Sequence, residues 1–200
     1  MKTSVLWNDI LTKGAILGCV MLASNIAETS MLIYGGTIGW MGAMSVECLA
    51  VMALYCYLIY RFTSNYAKLV ISERKEMPYF TYGNGYSYAV MISILAGVIT
   101  ALGSHIFLNY VVGYDNYVTA TINIAQSAIS QAELPSAMVG QYEQMLSAIQ
   151  QQEAPSMMSK LFGSIWTYLL AGSFVGLIVA AFTKREPQMF DNQNEQNDEQ

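Results

Sequence analysis

The sequence predicts an all-α, polytopic membrane protein: four transmembrane helices with an outward-facing amphipathic helical hairpin between spans three and four. Three observations predict it. Of 200 residues, 54% are hydrophobic and 12% are charged, roughly half the charged share of a soluble domain. The mean hydropathy is +0.35, and the charges crowd into short stretches that leave long segments nearly free of them. The basic residues, finally, fall almost entirely on one set of segment ends. A formal net charge of -5 excludes a strongly basic nucleic-acid binder, and three cysteines are too few for a disulfide scaffold.

A helix rises 1.5 Å per residue, so crossing a hydrocarbon core about 30 Å thick takes about 20 apolar residues. Four segments meet this length. The first runs from about Gly14 to Ile33 and is interrupted by Asn25 and Glu28; the second, from about Trp40 to Tyr60, carries Glu47. The third runs from about Gly85 to Val112 with His105 near its far end, and the fourth, from about Leu161 to Phe182, has no charge. Residues 1–185 thus form one transmembrane domain. The tail, residues 186–200, is Gln, Asn and acid, too polar to bury a core, and reads as disordered.

Basic residues near span ends are retained on the cytoplasmic side. Lys2 and Lys13 precede span one, Arg61, Lys68, Arg74 and Lys75 lie between spans two and three, and Lys184 and Arg185 follow span four. Lys160 alone lies on the other side. Both termini are therefore expected in the cytoplasm and the stretch Gly113–Ser159 outside. Trp7, Trp40, Tyr60, Tyr110, Tyr114 and Trp166 fall near span ends, where amphipathic rings settle among headgroups. Ile16-Leu17-Gly18-Cys19 loosely matches a lipoprotein cleavage site, but Lys13 leaves too short an apolar run before it for a signal peptide, so span one is expected to be retained. Cys19, Cys48 and Cys56 lie inside spans without paired spacing and read as small buried apolar residues.

Between spans three and four, at about 115–152, Val118, Ile122, Ala125 and Ile129 step by helical intervals. After the Leu134-Pro135 break, Met138, Tyr142, Met145 and Ile149 repeat the steps. Two amphipathic helices follow, with Asp115 or Asn116 as a cap, Pro135 in a first turn and Pro155 before span four. Their apolar stripe, Val118, Ile122, Ile129, Met138, Tyr142, Met145 and Ile149, either packs over the mouth of the bundle or docks a partner. The segment from Arg61 to Asn84 reads as a cytoplasmic loop.

Ionisable groups inside spans cost about 2.5–3.5 kcal/mol on insertion scales and ask for a reason. Counted from the expected outer turn Gly35–Gly39 and from Gly113, the residues Glu28, Glu47 and His105 all lie roughly 10–12 Å inside the outer boundary. Asn25 is one turn deeper, and Tyr168 falls at the same depth on span four. This candidate layer reads three ways: a hydrogen-bonded knot that fixes helix register, a proton or ion site, or a metal site. The spacing gives equal depth and not a common face. No dense ligand motif such as HExxH accompanies it, and no catalytic motif is present, so neither an enzyme nor a cofactor is expected. Gly14-x-x-x-Gly18, Gly35-x-x-x-Gly39 and Gly172-x-x-x-Gly176, with the relaxed Gly97-x-x-x-Ala101, are small-residue spacings that serve either packing inside the bundle or a homo-oligomer face.

The third span with its lead-in, Phe80-Thr81-Tyr82-Gly83-Asn84-Gly85-Tyr86 through Ile94-Leu95-Ala96-Gly97-Val98-Ile99-Thr100-Ala101, resembles the conserved block of the domain of unknown function 4199 family. The closing segment, Gly176-Leu177-Ile178-Val179-Ala180-Ala181-Phe182-Thr183-Lys184-Arg185-Glu186-Pro187, resembles that family's last helix and basic stop. The resemblance implies a small integral membrane protein of Gram-negative bacteria, with four spans and a polar helical insert before the last. The family has no established activity, so it implies no catalytic residues. Its members tend to be encoded near polyprenyl-phosphate glycosyltransferases, which implies an accessory role in the envelope. Two functions are expected on these grounds: a non-enzymatic accessory or scaffold subunit with an envelope membrane-protein partner, or a small proton- or ion-coupled transporter using the Glu28, Glu47 and His105 layer.

Overall fold

The structure, a computed structural model, describes residues 3–35, 38–73, 79–131, 136–151 and 153–185. Lys2, Arg74, Lys75, Pro135 and the tail 186–200 lie outside the described residues, as do the side chains of Trp40 and Met138 and the surroundings of Gly39. The described chain is all-α. Its helices are α1 (Thr3–Gly35), α2 (Ile38–Glu73), α3 (Tyr82–Ile106), α4 (Tyr114–Gln131), α5 (Ser136–Gln150) and α6 (Met157–Thr183), with a π-helical turn, Phe107–Val112, continuing α3. Four segments are long and apolar enough to cross a membrane: Leu6–Gly35, Gly42–Ser72, Tyr82–Val112 and Met157–Thr183. Their outward faces are apolar, with Phe162, Trp166, Phe174 and Phe182 exposed on α6 and Leu49, Met52 and Tyr57 on α2, a surface suited to hydrocarbon. Cys19 and Cys48, expected to be buried, lie on these outward faces and Cys56 is half-buried, because a small apolar side chain is equally at home against lipid.

The first two helices are longer than their apolar stretches. At 33 and 36 residues, α1 and α2 would each reach about 50 Å or more at 1.5 Å per residue. The segment from Arg61, expected as a loop, is helical through Glu73. The reason is a buried stripe that the charges disguise. Phe62, Tyr66, Ala67 and Val70 are buried at helical spacing while Arg61, Lys68 and Leu69 point outward, the periodicity of an amphipathic helix. On α1, Ile10, Gly14 and Leu17 continue a buried stripe past Asn8, Asp9 and Lys13.

Helix α3 is the centre of the bundle and packs along both α1 and α6, whereas α2 packs more lightly against all three. Glycines bring the central backbones together. A Cβ on Gly18 would stand 2.8 Å from the Ile99 Cβ and 3.2 Å from the Ala96 Cα, and one on Gly14 would stand 2.7 Å from Leu95. A Cβ on Gly172 would meet the Ser93 Cβ at 2.5 Å, and one on Gly97 would meet the Tyr168 Cβ at 2.9 Å. Gly176 approaches Ala89 at 3.3 Å. These five glycines are thus occupied by contacts inside the monomer.

The ends of the bundle differ. At the end holding the start of α1, which we call the clip end, Phe80 and Arg185 exchange two backbone hydrogen bonds of 3.0 Å. They tie the lead-in of α3 to the exit of α6. Thr81 caps α3 by accepting from the Asn84 N–H at 3.3 Å. At the other end, the insert end, α4 packs on α1 and the π-helical turn, and α5 packs on α4. Gly113 makes the turn into α4 at φ 84°, a left-handed conformation that suits glycine. Asn116 donates to the Val112 carbonyl at 2.8 Å, satisfying a carbonyl at the end of the π-helical turn.

Gly172→Ile forces a branched side chain into Ser93 and should cost about 1–3 kcal/mol or more. Gly163→Ala, at a position where an added Cβ meets nothing within 4 Å, should be neutral. Unfolding titrations of both variants in mixed micelles check the contrast.

Candidate functional site

Below the midpoint of the bundle, toward the clip end, the interior is solid. Leu17, Ile59, Ile92, Ser93, Phe80 and Thr63 are fully buried, and Tyr88 nearly so. Tyr66 stacks on Tyr88 with ring centroids 4.2 Å apart and 6° between planes, and meets Phe80 edge-on at 5.8 Å. The Tyr88 hydroxyl donates to the Asp9 carboxylate, and the Lys13 ammonium stands 5.5 Å from the Phe62 ring centroid. Polar residues of α1 that precede the apolar span are thereby partnered within the plug.

Above the plug a belt of hydrogen bonds joins all four long helices. Tyr168 on α6 donates to the Thr100 hydroxyl at 3.4 Å, and Thr100 on α3 donates to the Gly18 carbonyl of α1 at 3.3 Å. Tyr55 on α2 donates to the Ser93 hydroxyl at 3.0 Å, which in turn donates to the Ala89 carbonyl at 2.7 Å. Tyr55 also meets Tyr168 edge-on at 6.1 Å. Each hydroxyl is satisfied, as buried polar groups in an apolar medium require.

Over this belt the helices part around a cavity of about 560 Å³. Its lining runs from Met21, Thr100 and Tyr168 nearest the plug to Tyr114, Tyr117, Pro155 and Lys160 at the insert end. Asn25, Glu28 and Thr29 on α1, Ser104 and Leu108, and Ser164 and Thr167 on α6 make up most of the wall between. Helix α2 explains the opening. Between Gly42 and Leu54 only Met44, Glu47 and Val51 are even half-buried, so this half of α2 offers a single thin stripe to its neighbours.

Of the predicted polar layer, Asn25, Glu28 and Tyr168 line this one cavity. Glu47 joins them from the side: the Ser24 hydroxyl donates to its Oε1 at 2.6 Å, and its charge repels that of Glu28. His105 is elsewhere. Its ring Nδ1 pairs with the Asn109 amide nitrogen at 3.0 Å, and that amide also donates to the His105 carbonyl at 2.9 Å. The π-helical turn is what brings Asn109 under this carbonyl. Among the described residues, no group of three His, Cys, Asp or Glu is close enough to share a metal ion.

On the predicted stripe of the insert, Val118 is buried, Ile122, Ile129 and Ile149 are half-buried, and Tyr142 and Met145 are exposed. Leu146 is the buried residue of α5. The sequence does not single out Ser24, Thr100, Tyr117 or the Tyr55–Ser93 pair as site residues, and it marks Tyr114 only as a ring near a span end. It did isolate Lys160 as the lone basic residue beyond the outer span ends. That anomaly was the available signal for a cavity residue.

A family model for a protein of unknown function, DUF4199, matches residues 12–185. No curated protein and no solved structure matches the chain. The two segments that carry the resemblance, at Phe80 and at Arg185, are the two that the backbone clip joins.

Glu28→Gln relieves like-charge repulsion from Glu47 at the cavity wall and should leave thermal stability in detergent unchanged or slightly raised. Tyr66→Ala empties the centre of the aromatic plug and should cost about 3–5 kcal/mol. Equal losses for the two variants would contradict this division between cavity and plug.

Proposed function

This chain belongs to the DUF4199 family, and from that premise we propose that it is a non-enzymatic accessory or scaffold subunit of the bacterial inner membrane, with both termini cytoplasmic. The observation that carries the reading is the solid clip end. Leu17, Ile59, Ile92 and the Tyr66–Tyr88 stack fill the bundle beneath the cavity, leaving a recess with a floor in place of a passage. The positions of Lys13, Arg61, Lys68, Lys184 and Arg185 at or beyond the clip end support the orientation. In this orientation the insert faces the periplasm. Tyr142 at 38% exposure and Met145 at 55% present apolar surface on α5, outside the four spans, suited to an envelope membrane protein. A polyprenyl-phosphate glycosyltransferase is the partner that the family's genomic company suggests.

The second reading, a proton- or ion-coupled transporter, draws on the like charges of Glu28 and Glu47 beside the cavity. His105, paired instead with Asn109, leaves that site one member short, and the bundle has no broken helix of the transporter kind at the pair.

Tyr142→Ser combined with Met145→Ser should reduce copurification with the glycosyltransferase at least tenfold in mild detergent, while Glu28→Gln and His105→Ala retain it. Loss of the partner from the two polar variants, with folding preserved, would overturn the scaffold reading. Proton or cation flux in proteoliposomes, abolished by Glu28→Gln, would establish the second.

A further inference from the structure

The cavity is more than a packing fault, because its walls carry two charges of opposite sign that do not meet. Glu28 lines it from α1 and Lys160 from α6. Glu28 is seven residues beyond Met21, and Lys160 eight residues before Tyr168, and Met21 and Tyr168 line the same cavity nearest the plug. Along α3, Gly97 meets Tyr168 and Gly103 meets Leu22, so the two charges differ in height by roughly one helical turn, about 6 Å. Helix α3 packs between α1 and α6, which places the two charges on facing walls. Neither has an ion-pair partner among the described residues. Charges held at membrane depth without partners are costly, and the usual resolution is a ligand or water that satisfies them.

The surrounding polar atoms narrow the chemistry. The Ser24 hydroxyl spends its hydrogen on Glu47, and the Thr29 hydroxyl spends its hydrogen on the Asn25 carbonyl at 2.8 Å. Around Glu28 the wall thus presents the lone pairs of one carboxylate beside the Asn25 side-chain amide oxygen, a setting that accepts several hydrogen bonds from one donor-rich cation. On the facing wall, Ser164 and Thr167 likewise donate to the Gly97 and Gly163 carbonyls, at 2.8 and 2.9 Å. Lys160 is left as that wall's charged donor, suited to an anion. A carboxylate wall opposite an ammonium wall favours a zwitterion over either ion alone.

We propose that this cavity binds an ammonium–phosphate zwitterion, with the primary ammonium against Glu28 and the phosphate on Lys160. Phosphatidylethanolamine carries this chemistry as a lipid headgroup and phosphoethanolamine carries it as a free solute. The cavity volume of about 560 Å³ is ample for the headgroup. The thin packing of α2 between Gly42 and Leu54 gives a lipid a lateral way in. This inference stands on the cavity itself and not on the accessory reading, and it holds for a scaffold or a transporter alike.

Native mass spectrometry of the full chain, released from micelles doped in turn with phosphatidylethanolamine, phosphatidylglycerol and phosphatidic acid, tests it. The wild type should retain phosphatidylethanolamine at least tenfold over the two anionic lipids. Glu28→Gln and Lys160→Gln should each erase that preference, and Lys160→Arg should restore it. Displacement of the bound lipid by millimolar phosphoethanolamine assigns the recognition to the headgroup alone; binding of phosphoethanolamine with no retention of lipid assigns the free solute. Equal retention of all three lipids by the wild type, with no solute binding, overturns the proposal, as does a preference untouched by Glu28→Gln and Lys160→Gln. The wild-type comparison needs no variant to fold.

Discussion

The close approach of α3 to its two neighbours is the constraint on which the rest of the structure depends. In a bilayer the hydrophobic effect does not draw helices together, so association rests on van der Waals fit and on hydrogen bonds between helices. Gly14 and Gly18 on α1, and Gly172 and Gly176 on α6, let those helices lie against α3 at distances a side chain would forbid. That intimacy brings the Ser164 hydroxyl onto the Gly97 carbonyl at 2.8 Å and Thr100 onto the Gly18 carbonyl at 3.3 Å. Small-residue contacts and interhelical hydrogen bonds therefore occur together, each depending on the backbone spacing set by the other.

Among its described residues α2 makes no such glycine contact and uses another device. It is anchored by large side chains at the clip end, where Tyr55, Ile59, Phe62 and Tyr66 are buried, and it is loosely held from Gly42 to Leu54. A helix fixed at one end and free at the other leaves a wedge of space, and the polar residues of α1 face into it. The aromatic plug and the open recess are thus two results of one asymmetry. The backbone clip between Phe80 and Arg185 closes the same end that the aromatic stack fills, so the clip end is reinforced by two independent means.

The sequence made the four spans legible because a 20-residue apolar run has few other readings. It concealed how far α1 and α2 continue, since Asp9, Lys13, Arg61 and Lys68 break the apolar run while leaving the buried stripe intact. Glu28, Glu47 and His105 fall at one level by residue count, and the two glutamates are near enough for the charge of one to act on the other. His105 does not join them, because equal depth leaves rotation about the helix axis undetermined and the π-helical turn after Ile106 changes what its side chain meets. The Thr100 and Ser93 links were hidden for a different reason. A hydroxyl in an apolar helix defaults to its own backbone, and only the spacing between helices decides whether it reaches across.

One bundle holds a closed end and an open recess, and thiol accessibility reads that division directly. With Cys19, Cys48 and Cys56 replaced by serine, single cysteines at Ser93 and at Ser164 would be exposed to a membrane-impermeant maleimide in reconstituted vesicles. Rapid labelling at position 164 and none at position 93 is the predicted result. Labelling of position 93 at a comparable rate, or of neither position, would contradict a water-filled cavity standing over a solid plug.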